Sequence, residues 1–148
     1  VTAPDIRWLR CDIKTINLLP NVMAKQEALE RGADDAIFHR DGVVTECTAA
    51  NLMMVRDGVI YTHPANHLIL HGVTRSVVLE LARAIGIPAR EQPFTLDELA
   101  RADELFATGT TAEITPILEV DGRPVGDGRP GPVTRKLQDA FERRVGLE

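Results

Sequence analysis

Apolar positions along the chain switch between helical and strand spacing. Over residues 18–31, Leu18, Val22, Ala28 and Leu29 can share one helix face, Pro20 fits only in the first turn, and Gly32 supplies the stop. Short apolar runs then alternate with Asp-Gly pairs. Ala36 to His39 and Val43 to Glu46 flank Asp41-Gly42, and Leu52 to Arg56 and Val59 to Tyr61 flank Asp57-Gly58. Asp-Gly readily takes the positive φ angles of a two-residue hairpin turn, so both stretches predict hairpins.

A second helix is predicted from about Thr74 to Ile85, with Val77, Val78, Leu81 and Ile85 as its apolar stripe and Gly86 as its end. Ile87 to Gln92 predicts a short strand. Thr95 and Glu98 form a capping-box pattern for a short helix over Leu96 to Ala100. Glu104 to Thr108 and Ile114 to Val120 read as strands, with Asp121-Gly122 as a further turn. Pro132 opens a last helix in which Val133, Leu137 and Phe141 recur every four residues. Hairpins outnumber strand–helix–strand units, which predicts an α+β domain with a largely antiparallel or mixed sheet over residues 1–148.

A length of 148 residues with 44% apolar content suits one domain, and aromatics at 4% leave the core to aliphatic side chains. The net charge of −5 argues against nucleic acid as a partner, which would call for a basic face. No apolar run is long enough for a membrane span, and no charged-then-apolar segment opens the sequence. Cys11 and Cys47 are too few for a disulfide framework, so the expectation is a cytoplasmic, reducing location. Val1 to Arg10 lead straight into a dense apolar segment, as though the chain began inside a larger protein.

Candidate chemistry centres first on lysine, which occurs three times against fourteen arginines. Lys25 and Lys136 lie in predicted helices. Lys14 lies in the apolar stretch Ile13 to Leu19, and a lysine held among apolar neighbours has its charged form disfavoured, leaving the neutral amine that attacks aldehydes. The ordinary alternative is a packed stem with its ammonium in water. Glu46 stands in the mostly apolar run Val43 to Val55, where its ordinary role would be a solvated or arginine-paired carboxylate. His63, His67 and His71 have metal-like spacing only on a helix, and Pro64 breaks a helix there, so no metal is expected. Gly126 to Gly131 matches a dinucleotide-binding pattern literally but sits too near the end for such a unit, and it reads as a loop. Two segments could hold phosphate. His71-Gly72-Val73-Thr74 opens a helix, and Thr108-Gly109-Thr110-Thr111 is a hydroxyl-rich turn after a strand.

In order, Cys11 to Leu19, Ala24 to Ala28, Val44 to Asn51, Leu70 to Arg75 and Phe106 to Glu113 resemble the motifs of the class IV (fold type IV) pyridoxal-phosphate-dependent aminotransferases, nearest in wording to the D-amino-acid transaminase group. The resemblance covers nearly the whole chain. It departs at Ala49 and Ala50, where hydroxyl residues are usual, and at Gly109 and Thr110, where serine is common. It also implies an N-terminal domain of comparable size that these residues do not include.

The resemblance implies the cofactor-binding C-terminal domain of the D-amino-acid aminotransferase-like fold, a mixed sheet or pseudo-barrel with flanking helices. It implies pyridoxal 5'-phosphate as cofactor, carried by Lys14 as a Schiff base. Glu46 would meet the pyridine nitrogen and Leu70 would pack on the ring. Val73 and Thr74 would bind the phosphate by backbone N–H groups, and Thr110 and Thr111 would close its other side. The implied activity is transamination between an amino acid, such as D-alanine, and a 2-oxo acid, by a homodimer. Branched-chain L-amino-acid aminotransferase and aminodeoxychorismate lyase are alternatives on the same fold, and a catalytically incomplete fragment is another.

Overall fold

A computed structural model of the protein describes residues 1–146. Its strands are β1 (Thr2–Pro4), β2 (Ile37–Arg40), β3 (Val43–Cys47), β4 (Asn51–Arg56), β5 (Val59–Thr62), β6 (Ala89–Glu91), β7 (Glu104–Gly109), β8 (Glu113–Ile117), β9 (Glu119–Val120) and β10 (Arg123–Pro124). The helices are α1 (Leu19–Glu30), α2 (Val73–Ala84), α3 (Leu96–Leu99) and α4 (Pro132–Val145). The Asp-Gly pairs turn the chain as expected: Asp41, Asp57 and Asp121 have φ of 47°, 51° and 50°, and each following glycine is also positive. The capping box of Thr95 and Glu98 closes in both directions at the start of α3.

Strands β1 to β8 form one mixed sheet, parallel at β1/β2 and β5/β6 and antiparallel elsewhere. The sheet branches at β4. One edge of β4 pairs with β7 from Asn51↔Thr108 to Val55↔Glu104. The other edge is divided: β3 takes it at Glu46↔Asn51, and β5 takes it along Met54 to Arg56. In the gap between these partners, the Thr62 hydroxyl donates to the Leu52 carbonyl at 2.8 Å, so the backbone stays satisfied where the sheet forks.

Alternation along β4 feeds two cores. Leu52 and Met54 point to a cluster with Val44, Phe94, Leu99 and Leu105. Met53 and Val55 point to the opposite cluster, where Val78 and Leu79 of α2 and Leu137 of α4 cover the sheet. Glu104 fixes α4 on that face, its carboxylate accepting from the backbone N–H groups of Val133 and Thr134 and from the Thr134 hydroxyl.

Several expectations are corrected. The predicted α1 face is mostly open: of its residues only Ala28 is buried, packed with Ala3, Ala36 and Phe38, while Val22 is 61% exposed. The helix docks through its small residues Ala24 and Ala28, and its larger apolar side chains face away from the sheet. In α2 the buried stripe is Arg75, Val78, Leu79 and Ala82, while Ile85 lies at the exposed C-terminal cap. The single strand expected over Ile114 to Val120 is two. β8 pairs with β7, while β9 forms a separate hairpin with β10, and Leu118 between them accepts from the Val125 N–H instead. The short parallel strand β1, which contains a proline and shows no alternation, had no sequence signal.

Candidate active site

The fork in the sheet places three polar side chains in a row. Residues paired across adjacent strands point to one face, so Glu46, Asn51 and Thr108 share the face covered by α2. Gly72, the N-cap of α2, sits directly on Asn51: a Cβ at this position would collide with the Asn51 Oδ1 atom. The first turn of α2 therefore lies beside Glu46.

Glu46 is 4% exposed and its carboxylate is held from three sides. Arg7 Nη1 donates to Oε1 at 2.6 Å, Asn51 Nδ2 donates to Oε2 at 2.8 Å, and the Leu70 N–H donates to both oxygens at 3.1 and 3.2 Å. Asn51 also donates to the Leu70 carbonyl at 2.8 Å, which ties the loop before α2 to the strand. Burial pushes the Glu46 carboxyl up to about 7, against the downward pull of Arg7 and the Leu70 N–H.

The arginine partner belongs to a larger buried cluster. Arg7 Nε and Nη2 donate to Oδ1 and Oδ2 of Asp5 at 2.9 and 2.8 Å, and the guanidinium lies 4.7 Å from the centre of the Phe38 ring. Asp5 also accepts from the Thr45 hydroxyl at 3.0 Å and pairs with Arg40 at 3.2 Å. Burial works to raise the Asp5 carboxyl, but Arg7 and Arg40 outweigh it and hold it below its ordinary range. Sequence reasoning missed Asp5, Arg7 and Asn51 as site residues. The only signal was a pair of opposite charges two apart, and a lone amide opening an apolar strand.

The other candidate residues gather around the same place to different degrees. Leu70 is half-buried and bonded to Glu46 through its backbone. Val73 and Thr74 open α2, whose N-cap Gly72 has no side chain to occupy the first N–H groups. Thr110 and Thr111 are exposed in the β7–β8 turn, and Gly109 brings that turn to 3.5 Å from the Ala49 carbonyl and 3.6 Å from the Ala50 Cβ, measured from where a Cβ would stand. The β3–β4 turn is thus flanked by both candidate phosphate segments.

Lys14 makes no side-chain contact with Glu46, and its segment is tied to the loop before α2 and to the β3–β4 turn by one hydrogen bond on either side of it. Its segment is fastened at one end by the Cys11 N–H to the His67 carbonyl at 2.8 Å, and at the other by Asn21 Nδ2 to the Thr48 carbonyl at 2.8 Å. The apolar surroundings expected for Lys14 are not packed: Lys14 is exposed, as is Ile13, and Ile16 is wholly so. Leu18 and Leu19, which follow, are exposed as well.

The donor set fits pyridoxal phosphate. A buried carboxylate suits a ring nitrogen, a helix start with no side-chain cap together with threonine hydroxyls from the β7–β8 turn suits a phosphate dianion, and a lysine between the two anchors suits an aldehyde. The Thr108 hydroxyl, 1% exposed and without a hydrogen-bond partner, adds an unsatisfied polar group to the same row. His63 Nδ1 and His71 Nε2 instead contact separate backbone carbonyls, of Pro64 and Asn66, and among the described residues no group of three His, Cys, Asp or Glu side chains suits a metal.

Comparison with known proteins gives the family. The family model described as amino-transferase class IV matches residues 1–120. The chain is 51% identical over 145 residues to the D-alanine aminotransferase of Staphylococcus aureus (strain COL), covering 98% of this chain and 51% of that protein. It is 49% identical to the Listeria innocua D-alanine aminotransferase, over 98% of this chain and 50% of that one. Among solved structures, the branched-chain amino acid aminotransferase of Thermobaculum terrenum in its PLP form superposes with a TM-score of 0.88 at 37% identity, over 95% of this chain and 47% of that one. The chain spans about half the length of the curated relatives it matches. With sequence, fold and motif order in agreement, the chain belongs to the class IV aminotransferase family.

Proposed function

We propose that this chain is the cofactor-binding half of a pyridoxal-phosphate-dependent aminotransferase that exchanges the amino group of a D-amino acid, such as D-alanine, with a 2-oxo acid. The observation that carries this reading is the buried Glu46 carboxylate, held by Arg7, Asn51 and Leu70 beside the open start of α2.

Bound pyridoxal phosphate supplies an electron sink that makes the substrate α-proton removable. The chain's own residues serve that chemistry in distinct ways. Lys14 Nζ would hold the cofactor through its aldehyde carbon and would move the proton at the substrate α-carbon. Glu46 holds a proton on the ring nitrogen by its negative charge. Leu70 would give the ring an apolar face to lie against. Val73 and Thr74 bind the phosphate through N–H groups at the positive end of α2, and Thr110 and Thr111 add hydroxyl donors from the opposite turn.

The remaining half of such an enzyme would bind the substrate carboxylate and cover the apolar segment around Lys14. A homodimer in the cytoplasm, with no nucleic acid or membrane partner, completes this reading. Among the described residues, no helix is long and apolar enough to cross a membrane.

Identity near 50% to D-alanine aminotransferases supports the D-amino-acid assignment, and the structural likeness to a branched-chain enzyme supports the alternative of a branched-chain L-amino acid. The test is to assay the full-length protein with 2-oxoglutarate and either D-alanine or L-leucine. Faster turnover of D-alanine is expected. Preference for L-leucine would establish the alternative, and turnover of neither would refute transamination of both substrate classes.

A further inference from the structure

We propose that Arg7 is a positioning residue that fixes the direction and charge of Glu46, so that Glu46 can hold a proton on the ring nitrogen. This rests on the function proposed above and assigns it a residue outside the family motifs of the sequence. Arg7 cannot swing. Two of its three nitrogens are committed to the Asp5 fork, Nη2 also reaches the Leu68 carbonyl at 3.3 Å, and the guanidinium plane is seated on Phe38. Asp5 is itself fixed by Thr45 and Arg40, and its N–H donates to the His39 carbonyl at 2.8 Å. What remains is Nη1, aimed at Glu46 Oε1 at 2.6 Å. A guanidinium so held presents its charge in one direction only.

The charges around Glu46 make this contact decisive. Facing it or its partner are Asp5 and Arg7 from the segment after β1, Arg40 from β2 and the thiol of Cys11, while its neighbour on β3 is Cys47. Asn51 from β4 and the Leu70 N–H are neutral donors. With Asp5 and Glu46 both ionised, Arg7 and Arg40 balance them. Without Arg7, two buried carboxyls share one cation, and Glu46 takes up a proton. A protonated Glu46 offers the ring nitrogen no negative charge.

The test follows Glu46 itself. Glutamate side-chain carboxyls are labelled with 13C in the protein, the Glu46 signal is assigned by its loss in Glu46→Gln, and its titration midpoint is read with and without pyridoxal phosphate. Arg7→Met should raise the cofactor-free midpoint by about one pH unit or more, about tenfold less carboxylate at a given pH, and Arg7→Lys should recover part of it. Equal midpoints in folded Arg7→Met and the parent would overturn the role of Arg7. If Arg7→Met does not fold, the unmutated protein decides: the Arg7 side-chain N–H signals must shift with the Glu46 midpoint, and their failure to do so overturns the proposal. Added pyridoxal phosphate should lower the Glu46 midpoint. A Glu46 signal indifferent to bound cofactor would refute the ring contact, an outcome distinct from loss of the Arg7 effect.

Discussion

Gly72 and Asn51 touch so closely that a single methyl group on the glycine would collide with the asparagine amide. The backbone of Gly72, at φ −65° and ψ 136°, is open to any residue, so only this contact demands glycine. Gly72→Ala should push the Asn51 amide off Glu46 and off the Leu70 carbonyl together. The loss of a hydrogen bond to a charged group should cost about 2 kcal/mol, roughly 6 °C in Tm, with weaker cofactor binding. Thermal unfolding and a cofactor titration check this, and an unchanged Tm would show that the amide relocates freely.

Replacing Glu46 by Gln keeps size and most hydrogen-bond geometry but removes the charge. Arg7 stays paired with Asp5, so the fold should survive. Transamination by the full-length enzyme should fall by orders of magnitude, at about tenfold per 1.36 kcal/mol of lost transition-state stabilisation. Turnover close to that of the parent would remove Glu46 from the chemistry.

The same pair of proteins tests the electrostatics. The Glu46 carboxyl is raised from 4.5 to about 7 in the folded chain, so folding strengthens its hold on a proton. Its stabilising contribution is complete below pH 4.5 and is lost as pH rises through 7. Relative to Glu46→Gln, the cofactor-free parent should lose on the order of 3 kcal/mol across that window. Asp5 acts in the opposite sense, its contribution lost as pH falls, but it is common to both proteins. Urea unfolding at a series of pH values measures the difference, and a difference independent of pH would contradict the raised carboxyl.

Lys14, and neither Lys25 nor Lys136, should carry the cofactor. Lys25 is already engaged, donating to the Asp34 carbonyl and pairing with Asp35 at 3.7 Å. Borohydride reduction of the cofactor-loaded protein, followed by peptide mapping, should find the pyridoxyl group on the Lys14 peptide. A label on another lysine would displace Lys14 from its role.

The exposed apolar side chains Trp8, Leu9, Ile13, Ile16, Leu19, Val22 and Met23 lie in one stretch of sequence running into α1. Expressed alone, the 148 residues should self-associate through them and transaminate poorly beside the full-length protein. Sedimentation should show the association reduced in Leu19→Glu/Val22→Glu, and a monomeric, fully active 148-residue chain would show that the site needs nothing more.

Much of this arrangement was legible in the sequence where its causes are local. The Asp-Gly hairpins, the Thr95 cap and the helix starts at Pro20 and Pro132 depend on neighbours a few residues away. The α1 face was misjudged because amphipathic spacing shows that a helix has an apolar side, not that this chain covers it. The clamp on Glu46 was illegible because its partners come from Arg7, 39 residues earlier, and Leu70, 24 residues later. Only the fold brings them together.

The forked strand also governs how the protein can meet other chains. With both edges of β4 spent inside the sheet, the open edges of that sheet among the described residues are short outer strands, and each is guarded. β1 ends in Pro4 and offers its Thr2 N–H to Asp121, β6 carries Arg90 and Glu91, and β8 contains Pro116. Such rims resist the strand-by-strand growth that leads to fibrils. Association is thereby steered away from sheet extension and onto the bare side chains beside Lys14, so that, on the function proposed above, the surface that would recruit a companion is also the one that would roof the reaction.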